Sequence, residues 1–195
     1  MRAGVTIYFL RHGETDWNRQ ARYQGQVDIA LNDTGRAQAR RNGLALREVL
    51  NEPAAFDYVS SPLGRTRETM AIVRAALGLP EDGVRYDSRL REMSYGHWEG
   101  QLAADLPQTD PGGIAERARD WWNWRPIGGE SYEDLTLRVA EWAATIDRDC
   151  VVSSHGGVSR ALRGVVVPVP RDDVPRLMVP QDRVLVLRRG SMDWL

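Results

Sequence analysis

The amino-acid sequence predicts an α/β fold, a three-layer α/β/α sandwich around a mostly parallel sheet. Short apolar runs rich in β-branched residues recur along the chain. They alternate with stretches whose apolar residues return every three or four positions, the spacing of one helix face. Two histidine–glycine pairs stand directly after such runs, and parallel strands bring their carboxyl ends to one edge of a sheet.

Residues 5–10 read Val-Thr-Ile-Tyr-Phe-Leu, the pattern of a strand buried on both faces. Residues 13–30 are polar and turn-rich. Asp33 or Thr34 is read as the N-cap of a helix with Ala39, Gly43, Leu46 and Leu50 on its inner face, ended by Pro53. Residues 57–60 predict a second strand. Ser61-Pro62 opens a helix striped by Thr66, Met70, Val73 and Leu77 and closed by Gly78 and Pro80. Residues 84–86 predict a third strand.

Residues 101–130 break this alternation with Pro107, Pro111-Gly112-Gly113, Trp121-Trp122-Asn123-Trp124 and Gly128-Gly129. They are read as an irregular cap or insertion, at about 99–130, over the site. Ser131 and Asp134 form a capping box for a helix buried through Leu135, Val139, Trp142 and Ile146. Residues 150–153 predict a further strand, a short helix runs on to about Gly164, and Pro168, Pro170 and Pro175 mark a loop. Residues 183–187 predict a last strand. With no repeat or linker in view, residues 1–195 read as one domain.

A net charge of -1 offers no general field for nucleic acid or an anionic membrane surface, so neither partner is expected. No apolar stretch approaches membrane-spanning length, and the first strand begins within a few residues, so a cytoplasmic protein is expected. Cys150 is the single cysteine, which excludes an intrachain disulfide and a multi-cysteine metal cage; its apolar neighbours point to core packing. All 26 basic residues are arginines, so any cationic side chain on a phosphate is planar and permanently charged.

Arg11-His12-Gly13 therefore combines three useful properties at a strand end. Imidazole is a nucleophile near neutral pH, guanidinium grips phosphate in a fork, and glycine admits a ligand to the backbone. Ser154-His155-Gly156-Gly157 repeats the placement, and Arg65 lies in the first turn of a helix, whose positive end favours an anion. The chain thus predicts a phosphate site with a histidine nucleophile.

Arg11-His12-Gly13-Glu14-Thr15, Asn18, Gln24-Gly25, the 31–38 stretch, the 61–69 stretch, Glu92, Gly96, Trp98-Glu99-Gly100, Gly129-Glu130-Ser131 and 154–157 occur in one order. In these motifs the sequence resembles the histidine phosphatase superfamily, which includes the cofactor-dependent phosphoglycerate mutases, over nearly its whole length.

The resemblance implies a phosphoglycerate mutase-like fold and phosphomonoester hydrolysis through a phosphohistidine on His12. It implies Arg11, Arg65 and His155 around the phosphoryl oxygens, with Asn18 and Gly156 beside them, and Glu92 as proton donor. Gln24 and Gly25 line the substrate entrance or shape its loop. The substrate is a small phosphomonoester, no cofactor or metal is expected, and a homodimer stays open. His97 is read as a surface or packing histidine, and Trp121, Trp122 and Trp124 as cap packing. A tryptophan-rich cap also hints at an apolar or aromatic leaving group, such as the nucleoside-like phosphate of α-ribazole phosphatases in this superfamily.

Three other activities compete. The mutases are longer and grip the substrate carboxylate with an inserted basic cluster. Arg117, Arg119 and Arg125 occur here without that paired-arginine signature, which favours hydrolysis. A metalloenzyme would set a divalent cation against Arg11 and Arg65. A non-catalytic phosphoprotein-binding module would usually have lost a core residue, and none is missing.

Overall fold

The computed structural model describes residues 1–195. Six strands form one sheet: β1 (Thr6–Arg11), β2 (Asp57–Ser60), β3 (Val84–Tyr86), β4 (Cys150–Ser154), β5 (Leu185–Arg188) and β6 (Ser191–Trp194). Their spatial order is β3-β2-β4-β1-β5-β6. The four strands from β3 to β1 run parallel, whereas β5 and β6 add antiparallel at the β1 side.

The helices are α1 (Asp16–Arg19), α2 (Asp33–Val49), α3 (Gly64–Ala76), α4 (Leu106–Thr109), α5 (Pro111–Arg119), α6 (Tyr132–Ala144) and α7 (Gly156–Val166). Strand alternation sorts the sheet residues into two cores. Ile7, Phe9, Cys150 and Val152 pack with Leu135, Val139 and Trp142 of α6 and Ala161 and Leu162 of α7. Leu10 and Val151 point the other way, onto Leu46 of α2 and Met70 and Val73 of α3. The three layers are therefore α6/α7, sheet, α2/α3.

Local boundaries differ from expectation in four places. Asn32, rather than Asp33 or Thr34, caps α2: its Oδ1 accepts from Gly35 N at 2.9 Å. Residues 101–130 contain α4 and α5. Pro111 occupies the first turn of α5, where a missing N–H costs nothing, and Asp110 caps it through Gly113 N, 2.9 Å from its Oδ1. The proline loop winds into a 3₁₀ segment, Arg171–Arg176. Finally, Gly190 (φ +84°) turns the chain after β5 into β6, a strand whose Ser-Met-Asp-Trp composition gave little strand signal.

Trp98, Leu106 and Trp124 form a separate small core under the cap. The rings of Trp98 and Trp124 lie 4.4 Å apart, and Trp98 Nε1 donates to Asp110 Oδ2 at 2.8 Å. Trp124 is packing, as expected; Trp121 and Trp122 are only partly buried. His97 is an exposed residue hydrogen-bonded to Asp110, 3.0 Å away, which agrees with its reading as a surface histidine.

Candidate active site

Sheet register alone brings the two histidines together. Arg11 pairs with Ser154 between parallel β1 and β4, so His12 and His155 are the next residue on each strand. His12 N donates to Ser154 O at 2.9 Å, and the imidazole centroids lie 5.3 Å apart. β2 pairs Ser60 with Ser153, which places Ser61 beside the same edge. Its Oγ lies 2.8 Å from His155 Nε2.

Gly13 is required by close packing, since a Cβ there would collide with the Gly35 backbone at the start of α2. The Gly13 carbonyl also sets the chemistry of His12. It lies 2.8 Å from His12 Nδ1, and a carbonyl can only accept, so Nδ1 carries the proton. Nε2 is left with its lone pair. Burial, then Arg65 and Arg11, holds the His12 imidazole well below its ordinary 6.5, so it is neutral near pH 7. His155 is lowered in the same way, by burial first and Arg65 next.

Arg65 is fully buried on the first turn of α3. Its guanidinium donates to Val27 O at 2.6 Å and Gly25 O at 2.7 Å, which fixes the fork. Arg11 is anchored through Val179 O at 2.9 Å. Burial lowers the pKa of both from the usual arginine value, yet arginine keeps its charge. Arg11 Nε, Arg65 Nε, His155 Nδ1 and Gln24 Oε1 are buried polar atoms with no partner in the protein. Orphaned donors on two fixed guanidiniums suit an anion with several oxygens.

Asn18 is positioned by the cap of α1. Its Oδ1 accepts from Thr15 N at 3.2 Å and Gln181 Nε2 at 3.1 Å, leaving its N–H pair free to donate. Glu92 is buried. Its Oε1 accepts from Met93 N at 2.9 Å and Gly157 N at 3.0 Å, so Oε2 is the less engaged oxygen. Arg11, His12, Asn18, Gln24, Gly25, Arg65, Glu92 and Gly156 line one cavity of about 140 Å³, and His155 abuts His12. All nine expected residues thus meet at one edge of the sheet. No group of three His, Cys, Asp or Glu side chains is placed to hold a metal ion.

Sequence reasoning missed several neighbours. Arg22, Tyr23, Tyr95 and Arg160 also line this cavity. Gly157, at the start of α7, orients Glu92, and Gln181 holds both His12 O and Asn18. Gly157 was visible in the His-Gly-Gly run; the others carry no spacing signal.

The chain is similar to known proteins over nearly its whole length. Residues 7–195 match the family model of the histidine phosphatase superfamily (branch 1). Glucosyl-3-phosphoglycerate phosphatase of Mycobacterium tuberculosis is 36% identical over 188 residues, covering 88% of this chain and 79% of that protein. A Salmonella paratyphi A protein named "Probable phosphoglycerate mutase GpmB" is 35% identical over 98% of this chain and 88% of its own length. The mycobacterial glucosyl-3-phosphoglycerate phosphatase solved with VO3 superposes with a TM-score of 0.76 at 32% identity, covering 98% of both chains. The α-ribazole phosphatase of Shigella flexneri gives 0.79 at 26% identity, over 93% of this chain and 89% of that one. The phosphoglycerate mutase-like fold and a phosphomonoester-hydrolysing activity follow, and no helix is long and apolar enough to cross a membrane. The chain belongs to the histidine phosphatase superfamily.

Proposed function

We propose that this phosphatase works through a covalent phosphohistidine on His12 Nε2, with Glu92 moving the proton. The observation that supports it is the tautomer: a carbonyl holds Nδ1–H and leaves a neutral, buried Nε2 lone pair beside two guanidiniums. Nε2 attacks phosphorus in line as the phosphorus–ester oxygen bond breaks. The electron pair leaves on the alcohol oxygen, which takes the proton of the Glu92 carboxyl group. Water then gives a proton to the Glu92 carboxylate and attacks phosphorus, and the bond to Nε2 breaks with its electron pair returning to the ring. Arg11, Arg65, Asn18 and His155 hold the equatorial oxygens, so their charge is matched throughout. Gly156 lets the phosphoryl group approach the backbone, and Gln24 and Gly25 shape the substrate entrance.

Small phosphomonoesters are the substrates of this reading, and residues 1–195 act as a single domain with a cap over the site. Glucosyl-3-phosphoglycerate and an α-ribazole phosphate, for which the relatives are named, belong in the first panel. Phosphate release from that panel, with His12→Ala alongside, is the test; wild-type turnover by the variant would refute the mechanism. The Salmonella relative makes mutase activity the second reading. Incubation with 3-phosphoglycerate, with and without the 2,3-bisphosphate, separates the two: bisphosphate-dependent 2-phosphoglycerate marks a mutase, and free phosphate marks a phosphatase.

A further inference from the structure

We propose that Arg138, aimed by Glu130, is a positioning residue for proton transfer: it fixes the backbone that carries Glu92, so that the carboxyl group meets the leaving-group oxygen. This rests on the phosphatase reading above and concerns how its acid is held.

Glu92 stands on neither a helix nor a strand. It follows a 3₁₀ turn, Ser88–Leu90, and residues 91–95 have no ladder of their own to fix them. Side chains from other elements hold this segment instead. Arg138, two turns into α6, donates from Nη1 to Arg89 O at 2.7 Å and Arg91 O at 2.8 Å, and from Nη2 to Glu92 O at 3.1 Å. Ser154 Oγ, at the end of β4, donates to the intervening Leu90 O at 2.8 Å, and Gln26 Nε2 gives Glu92 O a second donor at 3.2 Å. Four consecutive carbonyls are thus tied down, three of them by one guanidinium.

The remaining N–H groups aim that guanidinium. Arg138 Nε donates to Glu130 Oε1 at 2.8 Å and Nη2 to Glu130 Oε2 at 2.9 Å, a bidentate fork. Glu130 Oε2 also accepts from Ser94 N at 2.9 Å, and Glu130 N donates to Ser94 O at 2.9 Å, so the chain beyond Glu92 is bound to the same residue. All five N–H donors of Arg138 are used within the protein, which leaves none for a ligand. Glu130 directly precedes Ser131, the cap of α6, so the Gly129-Glu130-Ser131 motif sets the helix start and the clamp together.

A largely buried ion pair adds little net stability once its desolvation is counted, but a planar fork fixes direction. Glu92 Oε1 is pinned by Met93 N and Gly157 N, so the reach of Oε2 depends on where the backbone of residues 89–92 lies. A shift of about 1 Å at a reacting group can cost about 10²-fold in rate.

The test is a double-mutant cycle between Arg138→Met and Glu92→Gln. It is read on p-nitrophenyl phosphate, whose phenolate leaves without a proton, and on the alkyl ester of the panel above that the wild type turns over fastest. Arg138→Met is expected to lower kcat about 30-fold on the alkyl ester and less than about 3-fold on p-nitrophenyl phosphate, with KM little changed. The alkyl-ester loss should vanish in the Glu92→Gln background, where the acid to be positioned is gone. Arg138→Lys should recover part of it. Glu130→Gln, which keeps the side-chain shape, should give a smaller loss of the same selectivity, and it carries the test should Arg138→Met fail to fold. Equal losses on the two esters, or a loss that persists in full beside Glu92→Gln, would mark a purely structural clamp and overturn the proposal. A Glu92→Gln enzyme that slows both esters alike would instead remove the acid reading on which the clamp rests.

Discussion

The phosphoryl cavity and a second compartment of about 210 Å³ beside it share Tyr23, Tyr95 and Arg160 in their walls but are built by opposite means. At the phosphoryl end, His12 and His155 follow paired strand positions, and Arg65 sits on a helix that starts four residues after β2. Backbone groups fix almost every side chain there: Gly13 O for His12, Gly25 and Val27 O for Arg65, Met93 and Gly157 N for Glu92. The neighbouring compartment rests more on side-chain contacts, with Arg117 on Tyr23 and two tryptophans, while Arg160 is tied to the Leu177 carbonyl. A backbone scaffold tolerates little change of chemistry, whereas a side-chain scaffold can be rebuilt for another leaving group. The difference teaches that reaction and specificity are separable in this molecule.

Substitutions of the groups that hold the phosphoryl oxygens should therefore slow every ester alike, and the largest effect after His12 itself is expected at Arg65. Arg65→Met removes one clamp on the transferring group and should cost about 10²–10³-fold in kcat on all esters. It also strands the Gly25 and Val27 carbonyls, a loss of about 1–3 kcal/mol in denaturant unfolding. An effect confined to one leaving group would break the comparison.

Glu92→Gln sharpens it. An alkoxide needs a proton to leave and p-nitrophenolate does not, so the variant should lose about 10²-fold on an alkyl ester and much less on p-nitrophenyl phosphate. Equal losses on both would deny Glu92 the acid role.

The last effect concerns stability against pH rather than turnover. His12 and His155 are held well below 6.5 in the folded protein, chiefly by burial, and recover the ordinary value on unfolding. Their folded pKa values are depressed, so the unfolded chain binds protons first as pH falls. The contribution is whole above about pH 6.5 and is lost progressively below it, by at most about 2.7 kcal/mol per pH unit for two groups. Denaturant unfolding at pH 7, 6 and 5 should show this slope, reduced in His155→Asn. A slope that the variant leaves unaltered would show that the imidazoles are not buried neutral.

The same contrast explains what the sequence could disclose. Arg11-His12-Gly13 and Ser154-His155-Gly156 were legible because β-strand register turns two local motifs into one site, and Asp57–Ser60 and Val84–Tyr86 fell where their β-branched residues placed them. Arg160 and Arg117 were not. One is the fifth residue of a helix and the other lies in a segment without strand periodicity, and only tertiary packing aligns them with Tyr23 and Tyr95. β6 was missed because its residues are mostly exposed and its pairing partner, β5, supplies the hydrogen bonds that its composition does not advertise. The cap helix α5 was hidden by Pro111 and two glycines, residues that disfavour a helix interior but fit its first turn.

The central claim is that phosphorus becomes bonded to His12. Rapid quench of the enzyme with a ³²P-labelled phosphomonoester, followed by peptide mapping, tests it directly. The label should appear within one turnover on the peptide carrying His12, stable in base, lost in acid, and absent from His12→Ala. Burst-free turnover with no labelled protein at any time, or label on another residue, would contradict it.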